Sequence, residues 1–281
     1  MDELLQRLKL PIGDWVENLV AWIEDHFTPL LDGIAGVIGF LTNGMQAGLL
    51  WLPAWLLGLI LVGLSWWRVG WKFGLFALLS LMLIIGMGLW IQTVQTLSLV
   101  LASSFVALVI GMPIGILMAR SDVVESLCRP VLDLMQTMPP FVYLIPAAIF
   151  FGLGTVPGAI ATVVFSMPPA VRLTNLGIRQ VQKEQIEAGL AFGCTRFQLL
   201  RKVQLPMAMP SIMAGINQTI MLALSMVVIA SMIGAGGLGN TVLTGIQRLN
   251  VGLGFEGGLG VVILAILLDR ITQSFAPKRR T

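Results

Sequence analysis

Charge is what this sequence has least of. Only 11% of its 281 residues are Asp, Glu, Lys or Arg, against about 25% in a soluble domain. Hydrophobic residues make up 57%, and mean hydropathy is +0.91. Such a surplus needs lipid rather than a larger core, so the chain reads as a polytopic membrane protein. Cysteine is nearly absent. Cys128 and Cys194 fall in segments that the charge pattern puts on the cytoplasmic side, where disulfides are rare, and both read as ordinary thiols. The single histidine, His26, has no metal-ligand cluster or paired carboxylates in a span to work with, which leaves a membrane-embedded enzyme without support. The Gly-Lys-Ser/Thr ending of a phosphate loop occurs nowhere, so ATP hydrolysis by that route is excluded. The N-terminus reads Met1-Asp2-Glu3, without the basic and apolar runs of a secretory signal peptide. Basic residues do not gather with aromatics on a polar domain, so no nucleic-acid partner is expected.

What is present is four long blocks without a charge: residues 33–67, 73–119, 134–171 and 203–247. A spanning helix takes about 20 apolar residues. Residues 73–119 can hold two spans, broken near Gln92-Thr93-Val94-Gln95-Thr96. Residues 134–171 can hold two short ones, broken near Gly152-Leu153-Gly154. Residues 203–247 hold one clear helix after Pro206, followed by the glycine-rich run 234–239. One span starts near Leu49 and the last runs over about 257–275. The count is seven, or eight if residues 33–46, which contain Thr42-Asn43-Gly44, cross instead of re-entering. The implied organisation is an N-terminal outer or interfacial segment over 1–48, a membrane domain over 49–275 and a basic tail over 276–281.

Lys and Arg set the orientation. With seven spans, segments 68–72, 120–133, 172–202 and the tail carry 14 of the 17 basic residues, leaving Arg7, Lys9 and Arg248 on the other face. The N-terminus is therefore expected outside and the C-terminus in the cytoplasm. Residues 14–27 read as an amphipathic helix with Trp15, Leu19, Trp22 and Ile23 on one face. It is expected either on the outer membrane surface or packed on its own bundle, with His26 at its end.

The most patterned polar stretch is the loop 182–205. It reads as a short helix, a left-handed Gly193, a capping box from Thr195 to Gln198, a second short helix and then Pro206 in the opening turn of the next span. Glu187-Ala188-Gly189, Gly193, Val203 and Leu205-Pro206 closely resemble the cytoplasmic coupling loop of ABC importer permeases, E-A-A-x-x-x-G, nine residues, I-x-L-P, with Gly189 standing where the pattern usually has Ala. Residues 133–146, 165–174 and 214–233 look like permeases of glycine betaine, proline betaine and choline importers. The resemblance implies an all-α type I ABC importer transmembrane domain that carries a quaternary-ammonium osmolyte. It also implies a second permease copy, a separate ATPase that binds ATP and Mg, and an outer or lipid-anchored substrate-binding protein; this chain itself would hold no cofactor and no metal. Glu187 would be a docking residue, not a catalytic acid.

A path through lipid needs polar or non-helical positions facing a cavity. Met138-Pro139-Pro140 and Met167-Pro168-Pro169 read as paired breaks. Phe141 and Tyr143 offer aromatic faces that suit a cation without N–H donors, and Asn217, Gln218, Thr219 and Ser225 are polar positions inside a span. The same residues also fit plain helix packing and dimer contact. An ATP-independent secondary transporter or channel is the competing function, but it would need intramembrane acids or an inverted repeat, and the spans show neither.

Overall fold

A glycine or a proline marks most of the points where this chain turns back through the bilayer. The computed structural model describes residues 12–276; the expected basic tail lies, beyond Ala276, outside the described residues, as do residues 1–11. Every regular element described is helical: α1 (Ile12–Trp51), α2 (Ala54–Arg68), α3 (Trp71–Gly86), α4 (Trp90–Arg120), α5 (Asp122–Thr137), α6 (Pro140–Phe151), α7 (Thr155–Arg179), α8 (Lys183–Ala191), α9 (Arg196–Leu199), α10 (Leu205–Ala230), α11 (Gly237–Gln247) and α12 (Val251–Gln273).

Five runs are long and apolar enough to cross a membrane: α1, α4, α7, the run 196–233 built on α10, and α12. The pair α5–α6, bent by 100° at Met138-Pro139, brings the number to six when it is counted as one broken span. Helices α2 and α3 have only 15 and 16 residues, about 23 Å at 1.5 Å per residue, and form a short hairpin.

The structure redraws the N-terminal expectation. Residues 14–27 and 33–46 are not separated by a break or a re-entrant turn. They belong to the single 40-residue α1, which passes through Pro29 and ends at Trp51, before the Pro53 turn, so the boundary expected at 48–49 falls inside a helix. Thr42, read as a break, donates its hydroxyl to the Ile38 carbonyl at 2.8 Å. A hydroxyl satisfied within its own helix does not interrupt it. Trp15, Leu19 and Trp22 are exposed, so this face does not pack on the bundle. His26 lies in mid-helix, stacked on Trp22.

Helix α7 is the centre of the core, clasped between α4 and α10. The Gly111-xxx-Gly115 spacing on α4 makes the close approach possible: a Cβ at Gly115 would lie 2.5 Å from the Val171 carbonyl oxygen. On the other side a Cβ at Gly215 would lie 3.2 Å from the Pro169 carbonyl. This clasp corrects a second expectation. Pro168 and Pro169 do not break a span; they are buried inside continuous α7, because neighbouring helices hold a membrane helix through its prolines. Of the two proline pairs, only Pro139-Pro140 stands at a break.

A third correction concerns residues 92–96, read as a loop. The turn is earlier, at Met87-Gly88-Leu89, where Gly88 has φ +72°. Gln95 and Thr96 instead point from α4 at the start of α11. The Thr96 hydroxyl accepts from Leu238 N at 2.8 Å and Gln95 Oε1 accepts from Gly237 N at 3.2 Å. The glycine-rich run is thereby pinned: Gly154 N donates to the Ile233 carbonyl at 2.8 Å, and α11 starts deep in the bundle. From there α11 runs antiparallel to α12, with Leu238 against Gly260, Thr241 against Gly257 and Gly245 against Gly254. Thr96→Val leaves the Leu238 N–H buried without a partner. The expected cost is about 1–3 kcal/mol, read as a lower melting temperature of the purified transporter.

Candidate functional site

The loop 182–205 folds as helix, tight turn, helix. Helix α8 ends when Gly193 enters the left-handed region at φ +78°. Its N–H donates to the Leu190 carbonyl at 2.9 Å, and Cys194 N donates to the Gly189 carbonyl at 3.1 Å, satisfying carbonyls the helix end would otherwise orphan. Thr195 and Gln198 form the reciprocal capping box, at 2.8 and 3.3 Å. The second helix differs from expectation. It does not stop before Pro206 but passes through a π turn at Leu200–Gln204 into α10. Pro206 has no N–H for the carbonyl four residues back, and its ring would clash there; the wider π turn, with Leu205 N donating to the Leu200 carbonyl, relieves both.

Helix α8 lies against this second arm. Gly189 is buried, and a Cβ there would sit 2.7 Å from Leu199 Cδ1, the movable end of that side chain, so the two arms fit closely without requiring glycine. Leu199 and Leu200 are buried, whereas Glu187, Ala188, Leu190, Phe192 and Phe197 are exposed, Phe192 at 90%. An exposed apolar knob with an acid at its base, fused directly to the long helix α10, can take a push from a partner and pass it to the bundle.

A constellation that sequence reading missed stands at the foot of this loop. Arg179, the last residue of α7, pairs with Asp122 at 2.7 Å and Glu125 at 3.0 Å on α5. It also donates to the Met118 carbonyl at 2.8 Å and to Asn175 Oδ1 at 3.1 Å. Glu125, mostly buried, further accepts from Arg129 at 2.9 Å and Asn175 at 3.1 Å, and Arg172 pairs with Asp133. The signal was present in the i, i+4 spacing of Glu125 and Arg129 and the i, i+7 spacing of Arg172 and Arg179. The resulting cluster ties α5 to α7 four residues before α8 begins.

The six positions named for a path are not brought together. Phe141 is exposed on the first turn of α6. Tyr143 is half-buried and bridges the α5–α6 bend through the Met135 carbonyl, edge-on to Phe165 at 6.1 Å. Asn217 donates to Asp269 on α12 at 2.8 Å, a helix clamp. Thr219 is buried in the core, while Gln218 and Ser225 share an exposed face of α10.

An all-helical bundle with several helices of membrane length and an exposed helical knob on one end marks an integral membrane protein. Comparison with known proteins gives the family. Residues 111–281 match the family described as binding-protein-dependent transport system inner membrane component, and the chain belongs to it. It is 52% identical over 276 residues to the glycine betaine/carnitine transport permease protein GbuB of Listeria monocytogenes, covering 97% of this chain and 98% of that one. It is 48% identical to the glycine betaine transport system permease protein OpuAB of Bacillus subtilis, with 97% of each covered. Identity is also 48% to the glycine betaine/proline betaine transport system permease protein ProW of Escherichia coli, over 97% of this chain and 77% of the relative. Among solved structures, an inward-facing MetNI methionine ABC transporter chain superposes with a TM-score of 0.59 at 24% identity, over 65% of this chain and 94% of that one; this likeness speaks for the fold. The chain is an inner-membrane permease, a transport subunit rather than an enzyme.

Proposed function

We propose that this chain forms the translocation half of an ATP-driven importer for a quaternary-ammonium osmolyte: glycine betaine, proline betaine or choline. Kinship over nearly the whole chain, at 48–52% identity, with permeases named for glycine betaine carries this reading. Two copies pair in the membrane. Each offers its loop 182–205 to an ATPase subunit, which alone holds ATP and Mg. Glu187, Ala188, Gly189, Gly193, Val203, Leu205 and Pro206 build the coupling element. A binding protein delivers cargo from outside, with the N-terminus of the permease on that face and the C-terminus in the cytoplasm. Of the six positions named for a path, Gln218 and Ser225, on one exposed face of α10, are the best placed; Phe141 and Tyr143 lie apart from them on α6, and Asn217 and Thr219 serve packing. The absence of a mid-span acid suits this division of labour, because a fixed anion in the path would hold the cation tightly and cost several kcal/mol in lipid.

Proteoliposomes holding the permease, its ATPase and its binding protein test the reading. Labelled glycine betaine, proline betaine or choline is expected to accumulate only with ATP on the ATPase side. ATP-independent equilibration would instead identify a channel or secondary transporter.

A further inference from the structure

The hairpin α2–α3 concentrates the tryptophan of this chain. Five of the eight tryptophans fall within residues 51–71. Trp51 and Trp55 stand where α2 begins, and Trp66, Trp67 and Trp71 at the turn into α3; all five are exposed. The turn closes tightly: Gly70 has φ +133°, and a Cβ on Gly74 would lie 2.9 Å from Trp66 Cβ. Between the aromatic ends, residues 54–67 and 73–86 hold no charge. One side of the hairpin packs, through Ala77, Leu81 and Ile84, on Leu238 of α11 and on Ile263 and Leu267 of α12. The other side is bare. On α3 every exposed residue from Leu75 to Ile85 is a large apolar one, Leu79 and Met82 among them.

Lipid is the partner this pattern fits. Tryptophan gathers at headgroup depth, with Arg and Lys beside it on one face of the membrane. Here the two aromatic bands bound an uncharged stretch, and Arg68 and Lys72 belong to one band alone. Arg68 Cζ lies 5.5 Å from the Trp67 ring centroid and Lys72 Nζ 5.9 Å from that of Trp71. A protein partner does not require residues sorted by depth. Helices that meet inside a membrane favour small residues at the contact, and the bare side of α3 offers none between Leu75 and Ile85. A second copy has a better-suited surface on α10, where the exposed Ala214, Gln218 and Ser225 are small or polar.

The hairpin is also short. Helices α2 and α3 have 15 and 16 residues, and Trp55 and Trp67 lie about 18 Å apart along the helix axis. The hydrocarbon core of a bilayer is about 30 Å thick. Helices α4, α7 and α12, with 31, 25 and 23 residues, are long enough to cross it. A short stretch is accommodated by local thinning of the bilayer or by rearrangement of the protein. This hairpin is not free to shift. Arg68 donates to the Ser274 carbonyl at 3.1 Å and its guanidinium lies 4.1 Å from the Phe275 ring centroid, which fixes the aromatic turn to the end of α12. The lipid is then the component that adapts.

We propose that the bare side of α2–α3 is a lipid-binding surface that thins the bilayer beside it, and so takes phospholipids of short acyl chain in preference to long ones. Brominated lipid tests this on the intact transporter, permease with its ATPase, in phosphatidylcholine vesicles. Leu79→Trp places a fluorophore midway along the bare side. The fluorescence it adds to that of wild type is expected to be quenched by dibromostearoyl phosphatidylcholine. In competition with that lipid, dimyristoleoyl phosphatidylcholine should bind at least about twofold more strongly than the long-chain dierucoyl lipid. The same competition read from the native hairpin tryptophans repeats the measurement without the variant. Trp66→Leu combined with Trp67→Leu lengthens the apolar stretch and should move the preference toward the longer chain. Added fluorescence that bromine does not reach would overturn the proposal and put a second copy on this face. Quenching with equal affinity for both chain lengths would overturn the thinning and leave an ordinary lipid contact.

Discussion

Replacing Gly193 by valine is expected to abolish ATP-driven uptake, at least tenfold, while the helical bundle still folds and inserts. The reason is backbone conformation, not crowding. Gly193 sits at φ +78°, and a Cβ there would meet nothing within 4 Å. Valine fits the space but not the dihedral; forcing a β-branched residue into the left-handed region costs about 1–3 kcal/mol, more than one turn of a short exposed helix can supply. Helix α8 would then end elsewhere, and the bonds from Gly193 N to Leu190 and from Cys194 N to Gly189 would go with it. Phe192 and Glu187 would no longer face the partner together. Gly193→Asn separates this account from a requirement for small size, because asparagine tolerates positive φ and should restore most of the uptake. Gly189→Ala should be nearly silent: the only close neighbour of its new methyl is the tip of the flexible Leu199 side chain. ATPase retention on the purified permease, measured beside uptake, shows whether the Gly193 variant detaches the motor or keeps it idling. Normal uptake by the valine variant would remove the tight turn from the mechanism.

The contrast between the loop and the membrane blocks shows which physical information a sequence carries openly. Gly193, Thr195 and Gln198 act through bonds to residues three to five positions away, so spacing alone predicts them, and the structure shows the same left-handed glycine and the same capping box. Leu200–Gln204 acts locally too, but the π turn depends on how Pro206 is accommodated, and spacing suggests only a break. Inside the membrane the decisive partners are distant in sequence. Gln95 and Thr96 look like a loop until α11, 142 residues on, supplies the N–H groups they accept from. Pro168 and Pro169 look like a break until α4 and α10 are seen to clasp the helix through them. Thr42-Asn43-Gly44 looks like an interruption by polarity alone, yet the Thr42 hydroxyl bonds a carbonyl of its own helix. Asn217 and Thr219 are alike in polarity and near neighbours in sequence, yet one clamps a helix pair and the other is buried in the core. Polarity inside a span therefore marks a special position without saying whether it serves packing or passage.

Glu125→Leu is expected to loosen the base of the loop 182–205. The carboxylate accepts from Arg179, Arg129 and Asn175, so its loss leaves three donors short of a partner, with Arg179 held only by Asp122, whose side chain is 90% exposed, by the Met118 carbonyl and by Asn175. Breaking a fully buried ion pair from one side costs about 3–5 kcal/mol. Here Arg179 is a third exposed, water can reach the orphaned charge, and about 2 kcal/mol is the expected loss, visible as a lower melting temperature of the intact complex. The effect on coupling should be larger than this figure suggests. Arg179 ends α7 four residues before α8, so this cluster is the polar link to α5 nearest the loop, beside the apolar packing of Leu132 on Val171; without it the loop moves against a slacker hinge, and cargo imported per ATP hydrolysed should fall several-fold. The double variant Glu125→Leu with Arg179→Met distinguishes the two effects. Removing both charges relieves the unpaired guanidinium and should recover much of the stability, but it does not rebuild a directional link, so the transport ratio should stay low. Recovery of both together would mean that the cluster serves only to hold the bundle closed, and that force from the loop travels through α10 alone.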